Sequence, residues 1–380
     1  MTNFTKRKSI DWVVCAAGNG SRFTESGVLI PKPRLKFMGM SMLARAMSCL
    51  DIHPNDQIII IVRKEHKTTD LHDEIISLFP WAKLRWIEIH SITSGQLETF
   101  MLAKKFLRPK ASVVIWNCDT YFKSPDLARL MAQKEIDAIV PCGRMPGNEW
   151  SFFKSDFEGV IVDAAEKKRI SPWASVGFYY FRDQLSLIKA AKTILKKNPP
   201  NGLQEYYISA VYTLLIKSKL RIVNSPVTVF LPFGTLPQLK KYWDIDVKKL
   251  IAENPPGTLV VDLDDTITHD DKSRSYLHKK PNRNVIETLQ KYRKLGFQII
   301  IYTARNMKTQ RNDEGKVIAN IGMSTLTWLN RHQIPFDSIR FGKPYAEDGF
   351  YIDDKAIRPS EFVHLSYTQL LKLTQSKVNS

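Results

Sequence analysis

Short β-branched, apolar runs recur along this chain, each ending in a polar loop that leads into a helical pattern. Ile58-Ile59-Ile60-Ile61-Val62 is the plainest example. Strand–helix alternation of this kind predicts α/β architecture: mostly parallel sheets with helices on both faces. Strands are expected at Trp12–Ala16, Gln57–Val62, Val113–Trp116 and Val176–Phe181, and again at Leu259–Val261, Gln298–Tyr302 and Phe350–Ile352. A helix is expected from Asn284 to Lys294, with Asn284 and Glu287 as a capping box and Gly296 past its end. Between the two groups lies Ala252-Glu253-Asn254-Pro255-Pro256-Gly257. Two prolines followed by glycine cannot continue a helix or a central strand. The expected division is therefore one domain over 1–250, a linker over 251–257 and a second domain over 258–380, each an α/β sheet domain.

Composition narrows the class. The chain has 380 residues, 43% of them apolar and 25% charged, values that exclude a disordered or collagen-like chain. No apolar run is longer than a strand, so no membrane insertion is expected. Residues Met1 to Asp11 hold no apolar core of a secretion signal, and Cys15, Cys49, Cys118 and Cys142 show no paired-ligand spacing. Together these predict a reduced, cytoplasmic, zinc-free protein. Lys and Arg exceed Asp and Glu by 18, with +5 of that excess in residues 255–380. No nucleic-acid module accompanies the charge, so small phosphorylated substrates are its expected partners and no nucleic acid is.

The second segment carries the sharper chemistry. Leu259-Val260-Val261 runs into Asp262-Leu263-Asp264-Asp265-Thr266, which places two carboxylates at a strand end, where open α/β sheets bind ligands. Like charges at that spacing call for a cation, and one of the carboxylates can attack phosphorus. Gln298–Tyr302 ends in Thr303-Ala304-Arg305-Asn306, Phe341-Gly342-Lys343-Pro344 supplies a lysine, and Gly349–Ile352 leads to Asp353-Asp354. These four elements in this order resemble the haloacid dehalogenase superfamily of phosphohydrolases, over about residues 257–365. The stretches Tyr302–Met307 and Phe350–Ala356 resemble, in particular, phosphatases encoded with bacterial capsule biosynthesis. The resemblance implies Asp262 as the nucleophile that forms an aspartyl-phosphate. It implies Asp264 as the acid that protonates the leaving group and later activates water. Thr303 and Lys343 would hold the phosphoryl group, and Asp353 would join Asp262 and Asp264 on Mg²⁺. An acid at the position of Asp264 suits a phosphatase, because an alkoxide leaving group needs a proton. The spacing from Thr266 to Thr303 and from Thr303 to Lys343 leaves no room for a cap domain.

In the first segment, the strand ending at Ala16 runs into Ala17-Gly18-Asn19-Gly20-Ser21-Arg22-Phe23. Glycines let backbone approach phosphates, and Arg22 can bind them bidentately. Pro31-Lys32-Pro33 presents a lysine on a rigid loop, and Val113–Trp116 leads through Asn117-Cys118 to Asp119, a natural Mg²⁺ ligand. This set resembles the sugar-phosphate nucleotidylyltransferases over about residues 10–243, and Thr93–Gln96, Ser175–Tyr179, Glu205–Tyr207 and Phe233–Pro237 strengthen the likeness. It implies that Gly18, Gly20 and Arg22 cradle the phosphates of a nucleoside triphosphate, and that Lys32 steadies the α-phosphate. Ser94, Gly95 and Gln96 would lie near the base and Glu166 and Lys167 would face the sugar phosphate. Asp119 would bind Mg²⁺, with Glu205 as a second metal acid. Arg34 stands where the family usually has leucine, which leaves two readings open: an extra cation for a more anionic acceptor, or a loop that has drifted.

Taken together, the two resemblances imply a bifunctional enzyme of surface-polysaccharide precursor synthesis, a Rossmann-like nucleotidyltransferase domain joined to a capless phosphatase domain. A phosphatase with a non-catalytic nucleotide-binding first domain is the alternative, and a nucleotide-sugar glycosyltransferase a more distant one. Trp116 and Trp173 read as core, and His269 as a solvated loop residue. The base, the acceptor, the phosphatase substrate, the order of the two steps and the oligomeric state stay open.

Overall fold

The computed structural model describes residues 8–26, 28–66, 68–199, 203–269, 271, 273–346 and 350–375. They fall into two compact units, one running to Leu250 apart from a short stretch at 27–29, the other beginning at Ile251.

The first unit is built on a ten-stranded sheet. Its strands are β1 (Ile10–Cys15), β2 (Gln57–Arg63), β3 (Lys83–Ile89), β4 (Ser112–Asn117), β5 (Ala138–Arg144), β6 (Ser151–Ser155), β7 (Ile161–Glu166), β8 (Trp173–Ser175), β9 (Phe178–Phe181) and β10 (Ile222–Pro226). They lie in the order β7-β6-β8-β5-β9-β4-β1-β2-β3, with β10 beside β5. The pairs of β1 with β2 and β4, and of β2 with β3, are parallel. From β9 outward to β7 the pairing is antiparallel, apart from the parallel β10–β5 pair. The sheet is therefore mixed, and parallel throughout only in the half that carries the glycine loop.

Burial explains why these runs form strands. Every residue of β2 is buried, because both faces of the sheet are covered. On one face Val13, Ile59, Ile61 and Ile115 pack with Leu97, Phe100, Leu187, Val211 and Tyr212 from helices Gln96–Leu102, Gln184–Leu195 and Ser209–Lys217. On the other, Trp12, Trp116, Phe122 and Phe178 pack in edge-to-face and tilted pairs, 5.4–6.0 Å between ring centroids. Trp116 is fully buried and its indole N–H donates to Ala46 O at 3.1 Å, which makes it core.

The second unit has a three-stranded parallel sheet of β11 (Thr258–Val261), β12 (Gln298–Tyr302) and β13 (Ser338–Arg340), with β12 in the middle. Helices Arg283–Lys294 and Glu314–Arg331 bury Val285, Ile286, Leu289, Trp328 and Leu329 against Ile299 and Ile301. The first of these helices is capped by Asn282, whose side chain accepts from Val285 N, two residues earlier than the expected Asn284 cap. The helix Val247–Glu253 runs into the expected linker, seeded by Asp246, which accepts from Lys248 N, and it ends before Pro255-Pro256.

One expected strand does not form. Phe350, Tyr351 and Ile352 are exposed and lie outside any sheet; the third strand is instead β13. A short apolar run has the same sequence signature whether or not a partner edge takes it up. Here Tyr351 O–H donates to Pro344 O at 2.6 Å and its ring lies 4.1 Å from Lys343 Nζ, which holds the run against the Lys343 loop.

Candidate active site

In the first unit the site forms where β1 and β4 end. After Cys15 the chain turns through Gly18-Asn19-Gly20, and Gly20 takes φ 65°, a conformation that glycine adopts without steric cost. Pro31 and Pro33 fix the turn that presents Lys32, whose Nζ lies 2.6 Å from Asp119 Oδ2. Asp119 follows β4, and its backbone carbonyl accepts from Phe233 N at 2.9 Å. That contact brings Gly234 over the carboxylate: a Cβ there would sit 2.7 Å from Asp119 Oδ2. Burial pushes the Asp119 carboxyl upward. The Lys32 ammonium, with Arg22 and the Thr120 hydroxyl, outweighs burial and holds it below the usual range. Gly20, Arg22, Lys32 and Asp119 therefore stand together.

The segment 94–97 is pinned from the other side. Tyr206 N donates to Ser94 O at 2.8 Å and Leu97 N donates to Tyr206 O at 3.0 Å. The Gln96 side-chain amide donates to Asn117 Oδ1, which ties this segment to the end of β4 beside Asp119. Glu166 is not a free group. Its carboxylate accepts from Ser151 Oγ at 2.5 Å and Ser209 Oγ at 2.8 Å, and burial raises its pKa despite those donors. Lys167 donates to the Tyr207 hydroxyl at 2.7 Å. Glu205 is exposed, and its charge acts on Glu166, Lys167 and Tyr207. The expected second metal acid thus stands with Glu166 and Lys167. Arg34 pairs with Asp70, 3.2 Å away, at the start of helix Thr69–Leu78.

Among the described residues, no three His, Cys, Asp or Glu side chains stand close enough to hold a metal ion. Mg²⁺ does not need such a cage, since it is commonly bound by one or two carboxylates plus substrate phosphates and water. An ionised Asp119 beside the Gly18–Arg22 loop is compatible with that pattern.

In the second unit Asp262 and Asp264 follow the end of β11, and each is engaged by basic side chains. Asp262 Oδ2 lies 2.7 Å from Lys343 Nζ. Asp264 is gripped by the fully buried Arg305 at 2.6 and 3.0 Å and by Lys279 at 3.3 Å. Burial raises the Asp264 carboxyl, but Arg305 and Lys279 more than reverse this and keep it ionised. As placed it is a hydrogen-bond acceptor. Thr303 is buried; its hydroxyl accepts from Arg305 N at 3.0 Å, and its carbonyl accepts from Lys343 N at 3.2 Å. Asp353 lies in an exposed turn where it accepts from Lys355 N, because the strand that would carry it does not form. The expected metal set of Asp262, Asp264 and Asp353 is therefore not assembled among the described residues. Arg305 was visible in the Thr-Ala-Arg-Asn stretch without a role; Lys279, Ser151 and Ser209 carried no sequence signal.

Comparisons with known proteins agree with the first unit. Residues 12–175 match the family model of the MobA-like NTP transferase domain. The nucleoside-diphosphate-sugar pyrophosphorylase of Vibrio cholerae RC9 is 24% identical, with 61% of this chain and 100% of that one covered at a TM-score of 0.54. The inositol-1-phosphate CTP transferase of T. maritima is 12% identical, with 64% and 95% covered at 0.50. These structures share the fold. A further target protein from Vibrio cholerae is 43% identical over 32% of this chain and 98% of its own, with a TM-score of 0.31. No curated protein matches the sequence. Among the described residues no helix is long and apolar enough to cross a membrane.

Proposed function

We propose that the first unit transfers a nucleotidyl group from a nucleoside triphosphate to a sugar or polyol phosphate. The observation that carries this reading is the Lys32–Asp119 pair set beside the Gly18–Arg22 loop. An acceptor phosphate oxygen attacks the α-phosphorus, the bond to the β-phosphate breaks, and pyrophosphate leaves. Arg22 and Lys32 neutralise the charge that develops, with Lys32 exchanging its hold on Asp119 for a phosphate oxygen. Mg²⁺, when bound at Asp119, supplies Lewis-acid stabilisation of the phosphates. Gly18 and Gly20 bring backbone to the phosphates, and Ser94, Gly95 and Gln96 line the base side. Glu166, Lys167 and Glu205, with Tyr207, face the acceptor.

For the second unit we propose phosphomonoester hydrolysis with Asp262 as nucleophile, Lys343 as charge neutraliser and Thr303 as a positioning group. An ionised Asp264 suits activation of water, the later of its two expected roles. Two activities on one chain fit the synthesis of an activated precursor for a capsule or similar surface polysaccharide in the cytoplasm.

The test incubates the purified chain with Mg²⁺, each nucleoside triphosphate and a panel of phosphorylated sugars and polyols, and reads pyrophosphate. No release with any pair removes the first activity. Asp119→Ala separates an enzyme from a binding module: turnover must fall if the unit is catalytic.

A further inference from the structure

β2 ends in Arg63, and its register with β1 pairs Ile61 with Cys15. Ala16 N continues that register by donating to Ile61 O at 2.9 Å, so Arg63 comes level with the start of the glycine loop. Its guanidinium is almost wholly buried there and makes three contacts. Nη2 donates to Asn19 Oδ1 at 3.3 Å, Nε donates to His66 Nε2 at 3.2 Å, and Nη2 lies 2.5 Å from Glu65 Oε1. Asn19 stands between Gly18 and Gly20, in the one stretch of the site where the backbone has least intrinsic stiffness.

His66 shows that the orientation of this guanidinium is held at a cost. Arginine has only donors, so His66 must offer a lone pair at Nε2 and carry its proton on Nδ1. That Nδ1 is buried with no hydrogen-bond partner among the described residues. Burial and the Arg63 charge push the His66 pKa down to about 4, which keeps the imidazole neutral and its lone pair available. An orphaned buried N–H requires a reason. Here it leaves one ring nitrogen unsatisfied and fixes the fork that grips Asn19.

We propose that Arg63 is a positioning residue for the triphosphate loop, acting through the Asn19 side chain. The role rests on the nucleotidyl-transfer reading of this unit. Tethering Asn19 to the sheet pre-organises the backbone amides around Gly20 before the phosphates arrive, so the ordering cost is not taken from binding energy.

The experiment uses the full chain and Mg²⁺ with ATP, CTP, GTP and UTP in turn, measuring Kd by titration calorimetry and KM and kcat from pyrophosphate release. Arg63→Ala and Asn19→Ala are each expected to raise Kd and KM for the accepted nucleotide about tenfold, the loss of one charge-assisted hydrogen bond. The kcat at saturating nucleotide should change less than about threefold. The double variant should be no weaker than either single one, because the two residues act as a unit. Arg63→Lys should remain close to Arg63→Ala, since an ammonium lacks the fork. Multiplying losses, full rescue by Arg63→Lys, or unchanged affinity would each overturn the proposal. If Arg63→Ala fails to fold, Asn19→Ala alone decides, and an unchanged Kd sinks the idea. A wild-type chain that binds nucleotide while the variants match it removes only the role of Arg63. A wild-type chain that neither binds nor turns over any nucleotide removes the reading of the site and this role together.

Discussion

Lys32 and Asp119 hold each other in this structure, and the pair makes a first prediction at the scale of the residue. Lys32→Ala should lower the rate of pyrophosphate release by about 10²–10³, the usual loss when one stabilising donor is removed from a charged transition state. Its unfolding midpoint should change little by comparison, so a matching collapse of stability would contradict a catalytic role. Asp264 makes a second, with its own pH signature. Its native carboxyl lies below the ordinary value of 3.8, so it contributes stability above that value and loses it as pH falls through the native one. Asp264→Asn leaves the buried Arg305 without its counter-charge, at a cost of about 3 kcal/mol near pH 7. The gap in unfolding midpoint between wild type and variant should narrow as pH drops below 3.8. A gap that stays constant with pH would mean that the pair is not what holds Asp264.

At the scale of the element, two small features separate rival readings. The cap of helix Arg283–Lys294 is Asn282, although Val285 N reaches it over a long 3.5 Å. Asn282→Ala should therefore cost about 0.5–1 kcal/mol, and Asn284→Ala close to nothing, as measured by denaturant unfolding. Equal effects would restore the cap to Asn284. Gly234→Ala would drive a methyl group to within 2.7 Å of Asp119 Oδ2. It should abolish pyrophosphate release in a folded chain. Strands were legible in the sequence where every residue is buried, as in β2, and the loops that follow them were legible because glycine, proline and acid at a strand end have local causes. The antiparallel half of the sheet was not. Which edge a strand joins depends on contacts far away in the chain, and the same holds for Phe350–Ile352, which read as a strand and found no partner. Glu166 read as a substrate group; that Ser151 and Ser209 hold it depends on three segments meeting, which no single stretch records.

On the scale of the whole molecule, the chain presents two compact units, each with its own sheet and its own carboxylate–lysine pair. Independence of the two sites makes a prediction: Asp262→Asn should abolish orthophosphate release and leave pyrophosphate production intact. Loss of both would refute separate centres. The three-stranded sheet of the second unit has one further consequence. Among the described residues β11 bonds to a neighbour on one side only, and Val260 on it is 63% exposed. A bare flank of amides and carbonyls bearing an oily side chain is a template for foreign strands. Crowded preparations of this protein would thus be expected to clump through that rim first, and a lysine introduced there would act as a gatekeeper.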